Sequence, residues 1–164
     1  MSFEPYGILY SLILISTANS APVFAQKVFK KRFAQPVDGG LILADQRRLF
    51  GSSKTWRGVI AAIVSTAVIA PMIGIPVLIG AGFGGISIGA DLLASFIKRR
   101  LGYLSSSRVR WLDVFPEALL PMLVFQSTLG LEKWDTLLIM LIFFIFTATV
   151  SPLLYSLRIR NRPY

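Results

Sequence analysis

Three carboxylate side chains lie within or at the start of strongly apolar segments of the sequence. Asp91 follows the small-residue run GAGFGGISIGA, and Asp113 and Glu117 stand four residues apart where a later apolar segment begins. An ionised carboxylate inside a bilayer costs about 2.5–3.5 kcal/mol on insertion scales, so such residues are functional candidates. Since positions 91, 95 and 98 are spaced by four and three, Asp91, Ser95 and Lys98 are predicted to share one helix face.

The same carboxylates are candidate ligands for a metal ion. Asp91 is expected to meet Asp113 and Glu117 because consecutive antiparallel helices bring their adjoining ends together. Three carboxylates in one place repel one another unless a divalent cation, or the charges of Lys98 and Arg99, compensate. The sequence has no cysteine and no histidine. Oxygen ligands and Mg²⁺ are therefore favoured, and zinc sites of the Cys/His type, thiol nucleophiles and histidine-based triads are excluded.

A structural interpretation of the two later carboxylates is also open. Asp113 would then be a helix N-cap, and Glu117 would favour the positive end of the helix dipole in the first turn. That interpretation does not account for Asp91.

The glycines between positions 80 and 89 are better explained by close helix packing than by nucleotide binding, because no strand precedes them.

A second group of candidates lies in segment 45–58, DQRRLFGSSKTWRG. Backbone N–H groups of a Gly-Ser turn can bind phosphate, and basic side chains can neutralise its charge. The spacing is not that of a P-loop. The alternative is a basic loop that contacts anionic lipid headgroups, which suits KVFKKR at 27–32 better than a Gly-Ser-Ser turn. The phosphate-binding candidates here are Gly51, Ser53, Lys54, Thr55 and Arg57.

Two further polar residues are candidates by position. Asn19 lies inside the first apolar segment, where an amide is costly, and Pro22 is expected to kink or break the helix there. We expect Asn19 to face the same polar pocket. Asp38 precedes two glycines, a pattern typical of a turn.

Five apolar segments must position these side chains. They cover about residues 6–24, 59–73, 76–97, 112–131 and 134–157, and a bilayer core needs about 20 helical residues. Of the 164 residues, 54% are hydrophobic and 15% are charged, against about 25% charged residues in a typical soluble domain. We therefore predict an all-α, polytopic integral membrane protein with about five transmembrane helices. Residues 1–164 are expected to form a single membrane domain.

The basic residues predict how these helices are oriented. All lysines and arginines except Lys133 fall in three stretches, namely residues 27–57, residues 98–110 and the C-terminal tail. The positive-inside rule makes these stretches cytoplasmic, so the N-terminus is outside, the C-terminus is cytoplasmic, and the cytoplasmic loops are about 27–57 and 98–111. We expect a multi-pass protein of the cell (inner) membrane, whose net charge of +9 reflects topology and not nucleic acid binding. A cleaved signal peptide is disfavoured because Glu4, and no basic residue, precedes the first apolar segment.

Taken together, the motifs resemble one known family. Asn-x-x-Pro from Asn19, Pro-x-Asp-x-Gly from Pro36 and D-x-R-R-L-F-G-x-S-K-T-W-R-G from Asp45 are similar to the CDP-archaeol synthases and their bacterial relatives. That family belongs with the CDP-diglyceride synthetases. The segment ADLLASFIKRRLGYLSSSRVRWLD resembles the family's G-D-L-x-x-S-x-x-K-R-x-x-G stretch and the acidic helix start that follows it. The resemblance covers about residues 19–125.

The resemblance implies a Mg²⁺-dependent and CTP-dependent cytidylyltransferase at the cytoplasmic membrane edge. It would convert a lipid phosphate, either phosphatidate or a diether glycerol phosphate, to a CDP-lipid and pyrophosphate. The resemblance implies that Asp91 and Asp113 are metal carboxylates and, with Lys98, catalytic residues, and that Glu117 is a substitute third ligand. It also implies a triphosphate-side loop at Lys54, Thr55 and Arg57, supported by Ser95. With the candidates above, the predicted substrate-binding residues are Gly51, Ser53, Lys54, Thr55, Arg57, Ser95, Asn19 and Asp38.

The chain departs from the family pattern at several positions. Ala90 stands where a glycine is expected, Pro116 stands where archaeal members tend to have a second Asp, and the long P-G-H-G-G signature is absent. The alternatives are a non-catalytic membrane homologue or partner subunit and, less favoured, a small transporter that uses Asp91. A transporter would need ionisable groups in the outer half of the third segment, and there are none. A homodimer is compatible with the pattern.

Overall fold

The computed structural model describes residues 6–105, 107 and 109–156 of the chain. Within these residues, the all-α prediction is confirmed: they form five helices and no β-sheet, with isolated bridges between Pro36 and Thr55 and between Ile42 and Arg48. The helices are α1 (Gly7–Phe29), α2 (Trp56–Met72), α3 (Val77–Arg100), α4 (Arg110–Phe125) and α5 (Lys133–Ser156).

Three of the described helices are long and apolar enough to cross a bilayer, namely α1, α3 and the Lys133–Val150 part of α5. The α2 helix is apolar but has 17 residues, and α4 has 16, against the roughly 20 that a bilayer core requires. The outer surface of the bundle exposes many large apolar side chains. That surface suits a protein surrounded by lipid and supports an integral membrane protein. Examples of these exposed side chains are Leu9, Val64, Leu78, Leu141 and Ile145.

Two helices end at different places from the apolar segments that predicted them. The α1 helix continues through Pro22 to Phe29, so Pro22, where a kink or a break was expected, does not break the helix. Its last turn contains Lys27, and a cation there interacts favourably with the helix dipole. The α4 helix ends at Phe125 because the polar Gln126-Ser127-Thr128 run follows and Gly130 turns the chain with φ +64°.

The glycines of α3 allow it to pack tightly against α2. A Cβ added at Gly80 would overlap Ala70 and the Thr66 backbone, and one added at Gly84 would overlap the Thr66 hydroxyl. This close approach supports the interpretation that small residues serve helix packing. The hydrophobic core beneath is built from all five helices and the α2–α3 and α4–α5 turns, and includes Leu14, Ile15, Phe83, Met122 and Phe143.

One end of the bundle gathers the polar residues. The C-terminal ends of α1 and α3 and the N-terminal ends of α2 and α4 all contribute to a cavity there. The α1–α2 connection folds over this end. Its two limbs are joined where Val37 N donates to Lys54 O at 2.9 Å and Trp56 N donates to Gln35 O at 3.0 Å. Lys54 is thereby fixed at the rim of the bundle.

Candidate active site

A polar cavity of about 690 Å³ occupies this end of the bundle. Ligand pockets typically measure about 300–1,000 Å³. The structure brings ten of the residues predicted from the sequence to its walls, from four helices and loops that are distant in the chain. They are Asn19, Ser53, Lys54, Thr55, Arg57, Asp91, Ser95, Lys98, Asp113 and Glu117.

Lys54 and Asp91 form an ion pair at the centre of these residues. Lys54 Nζ donates to both carboxylate oxygens of Asp91, at 2.7 and 2.6 Å. The loop holds Lys54 directly before α2, whose N-cap Thr55 accepts the N–H of Gly58 at 3.3 Å. Burial by itself would lower the pKa of Lys54, but the carboxylates of Asp91, Glu117 and Asp113 together outweigh it and raise that pKa above its ordinary value of 10.5. Lys54 therefore carries its charge throughout the physiological range.

Lys98 and Asp113 form a second ion pair between α3 and α4. Lys98 Nζ also donates to the Ser107 carbonyl at 3.2 Å, and Asp113 accepts the Val109 N–H at 3.2 Å. Val109 is the N-cap of α4. The interpretation of Asp113 as the N-cap residue is therefore wrong, although its carboxylate does bind the N-cap backbone.

Asn19 and Glu117 meet across the α1–α4 interface. Asn19 Nδ2 donates to Glu117 Oε1 at 3.0 Å and to Oε2 at 2.9 Å. Glu117 is buried, and only 5% of its surface is exposed. A buried carboxylate requires hydrogen-bond partners, and the amide of Asn19 supplies them. Both residues line the cavity, as the cost of placing polar groups in apolar segments led us to expect.

The three carboxylates line one cavity, but each has its own partner. Among the residues that the structure describes, no group of three His, Cys, Asp or Glu side chains is arranged to hold a metal ion. The donor chemistry nevertheless fits Mg²⁺, which in nucleotide sites takes one or two carboxylates and completes its shell with phosphate oxygens and water. The assignment of Asp91, Asp113 and Glu117 as metal ligands stays a prediction.

Asp38 shapes the loop and is not part of the cavity wall. Its carboxylate accepts the N–H groups of Gly40, Phe50 and Gly51 at 3.1, 3.2 and 2.9 Å, and it pairs with Arg48 at 2.5 Å. Burial would raise the pKa of Asp38, but these hydrogen bonds outweigh it and hold the pKa below 3.8. Gly51, with φ +101°, is likewise a turn residue. Neither residue lines the cavity, and the expectation that both bind substrate stays a prediction.

Arg57 has a mixed role. Its guanidinium lines the cavity, and Nη1 donates to the carbonyls of Lys30 and Arg32 at 3.0 and 2.7 Å. It therefore attaches the end of α1 to the start of α2, and only part of its donor capacity is available to a ligand.

Sequence reasoning did not select several residues of the cavity wall. Lys30, Lys31, Ser52, Arg99 and Ser107 all line it. Arg99 was considered only as a compensating charge beside Lys98. The run of basic residues at 98–100 suggested a membrane boundary, and only the packing shows that Arg99 is 5% exposed.

Comparison with known proteins gives a consistent result. The family model described as CarS-like CDP-archaeol synthase matches residues 7–81. The CDP-archaeol synthase of Hyperthermus butylicus is 38% identical over 60% of this chain and 59% of its own length. The CDP-archaeol synthase of Sulfurisphaera tokodaii is 28% identical over 97% of this chain and 95% of its own length. The aligned part of the chain spans less than two thirds of the first curated relatives.

The fold also has a counterpart among solved structures. The structure of an intramembrane enzyme for archaeal membrane lipids biosynthesis superimposes with a TM-score of 0.76. The two sequences are 21% identical, and the match covers 87% of this chain and 90% of that chain. The five-helix arrangement is therefore shared with an enzyme that works within the membrane.

Proposed function

Because the family model and the curated relatives that this chain matches are CDP-archaeol synthases, we propose that it is a CTP-dependent cytidylyltransferase acting on a lipid phosphate. The observation that carries the proposal is the cavity itself. It combines paired carboxylates with a surplus of cationic side chains at one end of a bundle whose outer surface is apolar. Such a site suits one highly charged soluble substrate and one substrate that is held in the membrane.

The charge balance of the cavity favours an anionic ligand. Three carboxylates face six cationic side chains, and two of the carboxylates are already paired with lysines. CTP carries several negative charges, and a lipid phosphate adds more. Cations positioned in a site of low dielectric bind such charge far more strongly than they would in water. The cations are Lys30, Lys31, Lys54, Arg57, Lys98 and Arg99.

The proposed reaction forms one P–O bond and breaks another. An oxygen of the lipid phosphate attacks the α-phosphorus of CTP, and the bond from that phosphorus to the bridging oxygen of the β-phosphate breaks. Pyrophosphate leaves with the electron pair. Phosphoryl chemistry of this kind depends on positioning and charge neutralisation more than on a strong base, so a protein without histidine can perform it.

The residues of this chain divide that work between them. Lys54 and Arg57, on the loop before α2, would neutralise the triphosphate, and Lys98 would orient Asp113. Asp91 and Asp113 would hold Mg²⁺, which when bound neutralises phosphate oxygens and polarises the reacting phosphorus. Asn19 holds Glu117 in place between α1 and α4, and the lipid phosphate would enter beside them.

The orientation in the membrane follows from the same proposal. CTP is a cytosolic nucleotide, so the cavity must open to the cytoplasm. This agrees with the positive-inside rule, because the basic loops lie at the cavity end. We propose a multi-pass protein of the cell membrane with its N-terminus outside. A homodimer stays a prediction.

A turnover assay tests the proposal. Purified protein with CTP, Mg²⁺ and either a diacyl or a diether glycerol phosphate should release pyrophosphate and form a CDP-lipid. Asp91→Asn should reduce turnover by about 100-fold or more, whereas Glu132→Gln, a matched loss of charge on an exposed residue at the opposite end, should leave it unchanged. Absence of turnover with both lipids in a folded protein that still binds CTP would favour a non-catalytic homologue.

A further inference from the structure

The C-terminal end of α1 exposes apolar side chains at the point where a helix of membrane-spanning length ends. The α1 helix is long and apolar enough to cross a bilayer, and one of its faces lines the cavity. Phe24 and Val28, which are four residues apart and therefore neighbours on the helix surface, lie outside that face. Phe24 is 48% exposed and Val28 is 71% exposed, so the chain itself covers neither of them.

Two aromatic rings lie at the same end of α1. The rings of Phe29 and Phe33 pack edge to face with their centroids 5.8 Å apart, and both side chains are exposed. Phe33 has φ +55° and Lys30 has φ +51°, a backbone conformation that non-glycine residues rarely adopt. Arg57 Nη1 holds this segment by donating to the carbonyls of Lys30 and Arg32 at 3.0 and 2.7 Å. The chain therefore fixes an exposed aromatic pair in a costly conformation, which burial within the protein does not offset.

Basic residues alternate with these apolar side chains. Residues 27–33 read KVFKKRF and contain no acidic residue. Among the residues that the structure describes, none of the cations in this segment forms an ion pair. Lys30 and Lys31 line the cavity, whereas Lys27 and Arg32 are exposed outside it. Lys27 and Arg32 are therefore available to an anionic partner that does not enter the cavity.

We propose that the end of α1 is an anchor for the anionic lipid headgroups of the surrounding bilayer. Its apolar side chains insert at the boundary between headgroups and acyl chains, and its basic side chains contact lipid phosphates. A cluster of about four to eight basic residues directly after a transmembrane helix is typical of binding to anionic lipid. The anchor, none of whose residues lines the cavity, consists of Phe24, Lys27, Val28, Phe29, Arg32 and Phe33.

The chemistry of the anchor favours a lipid surface over a second copy of the chain. Two copies that met through this surface would bring their cations together, and the whole chain already carries a net charge of +9. A symmetric contact of that kind is repulsive. Anionic lipids supply the opposite charge and an apolar layer directly beneath it. They give the cytoplasmic leaflet its negative surface potential, which agrees with the proposed orientation.

The test uses a fluorescent label, which can be placed at a single position because the sequence contains no cysteine. Val28→Cys carries the label in the anchor, and Leu78→Cys, also an exposed apolar position, carries it at the opposite end of the bundle. The full chain is reconstituted in vesicles of phosphatidylcholine and phosphatidylglycerol, with bromine on the acyl chains of one lipid or the other. Brominated phosphatidylglycerol should quench the label at position 28 several-fold more than brominated phosphatidylcholine. The label at position 78 should show no such preference.

Two changes separate the charges of the anchor from its rings. Lys27→Gln combined with Arg32→Gln should lower the preference for phosphatidylglycerol by about fivefold or more, because each basic residue near an anionic surface shifts binding by about that factor. Phe33→Asn removes a ring but keeps a residue that tolerates positive φ, and it should shift the emission of the label at 28 to longer wavelength as the label moves toward water. Lys133→Gln, an exposed cation at the opposite end, should change neither measurement.

Equal quenching by the two brominated lipids, or a preference that survives the loss of both cations, would overturn the anchor. A label at 28 that neither lipid quenches, and whose emission shifts to shorter wavelength as more protein is placed in each vesicle, would assign the surface to a second copy and overturn it as well. If the double variant does not fold, the labelled Val28→Cys protein is measured in high salt, which screens exposed charges and should abolish the preference. No turnover is measured, so the result is independent of the proposed function.

Discussion

Arg47 and Arg100 each bind the backbone of the other's segment. Arg47 Nη1 donates to the carbonyls of Arg99 and Arg100 at 3.2 and 2.8 Å, and Arg100 Nη2 donates to those of Arg48 and Arg47 at 2.7 and 3.4 Å. Arg100 also pairs with Asp45 at 2.6 Å. This reciprocal clamp joins the loop that carries Lys54 to the end of the helix that carries Asp91. It also satisfies carbonyl groups that a helix C-terminus leaves without partners.

Loss of the clamp should loosen the loop more than the bundle. Arg47→Ala is expected to reduce turnover about tenfold and to lower the free energy of unfolding by no more than about 1.5 kcal/mol, because the side chain is exposed and its hydrogen bonds are to neutral carbonyls. Arg47→Lys should recover part of the turnover, since a single nitrogen makes both bonds. The measurements are steady-state kinetics and thermal unfolding in detergent. Equal turnover in Arg47→Ala and wild type would exclude a positioning role.

The Lys54–Asp91 pair should behave as one unit. Lys54→Met and Asp91→Asn are each expected to reduce turnover by about 100-fold or more, the usual effect of losing one electrostatic contact to a reacting phosphate or oxyanion. The double variant should lose much less than the product of the two, because each single change already breaks the pair. A double-mutant cycle of turnover measures this coupling. Fully multiplicative losses would show that the two residues act independently.

The charge of Lys54 should not titrate in the working range. Its pKa lies above 10.5, so the contribution of the protonated amine to stability is fully present below pH 10.5 and is lost only as pH rises through the still higher folded-state pKa. CTP binding should therefore be flat between about pH 7.5 and 9.5, and the Lys54→Arg variant should show the same profile. Calorimetric titration of CTP across that range is the measurement. A fall in wild-type affinity that Lys54→Arg removes would contradict the raised pKa.

Asp38 should govern the order of the α1–α2 loop. Asp38→Asn removes an acceptor charge that binds three backbone N–H groups and Arg48, and a loss of about 2–3 kcal/mol in loop stability is expected. The readout is the rate of limited proteolysis within residues 33–55, compared with Glu132→Gln, which removes a charge from an exposed residue outside the loop. Since the pKa of Asp38 is below 3.8, its contribution is present above pH 3.8 and is lost as pH falls through the lowered pKa, so the wild-type loop should stay protected at pH 5. Equal protease sensitivity in the two variants would show that the Asp38 hydrogen bonds contribute little.

The α2–α3 interface should reject any side chain at Gly80 or Gly84. Gly84→Val would place its Cβ on the Thr66 hydroxyl and is expected to destabilise the protein by more than about 2 kcal/mol, because both backbones must move apart. At Gly85 a Cβ would meet no atom within 4 Å, so Gly85→Ala should be neutral or slightly stabilising. Thermal unfolding in detergent compares the two. Similar melting temperatures would show that the helices separate easily.

Much of the architecture follows from local properties of the sequence. Long apolar segments interrupted by charge predicted five helices, because a buried or lipid-facing helix must satisfy its own backbone and cover it with apolar side chains. The carboxylates at 91, 113 and 117 were also recognisable from the sequence as candidate functional residues, because a charged side chain in an apolar segment costs free energy and is therefore usually functional. The boundaries were less predictable. The α1 helix extends past Phe24, and α4 stops at Phe125. Hydropathy did not predict either end, because it does not record where a backbone stops being helical.

The pairing of these residues was decided only by the tertiary structure. Lys54 and Asp91 are 37 positions apart, and Asn19 and Glu117 are 98 apart; no periodicity within one helix connects residues so distant. Asp38 and Arg99 illustrate the point in opposite directions. Asp38, which was predicted to bind substrate, supports the loop and does not line the cavity, whereas Arg99, which was considered only as a compensating charge, lines it. The types of side chain in the sequence indicate which chemistry is available to the protein. Which charged groups form ion pairs with each other, and which can bind a ligand, depends on how separate helices pack.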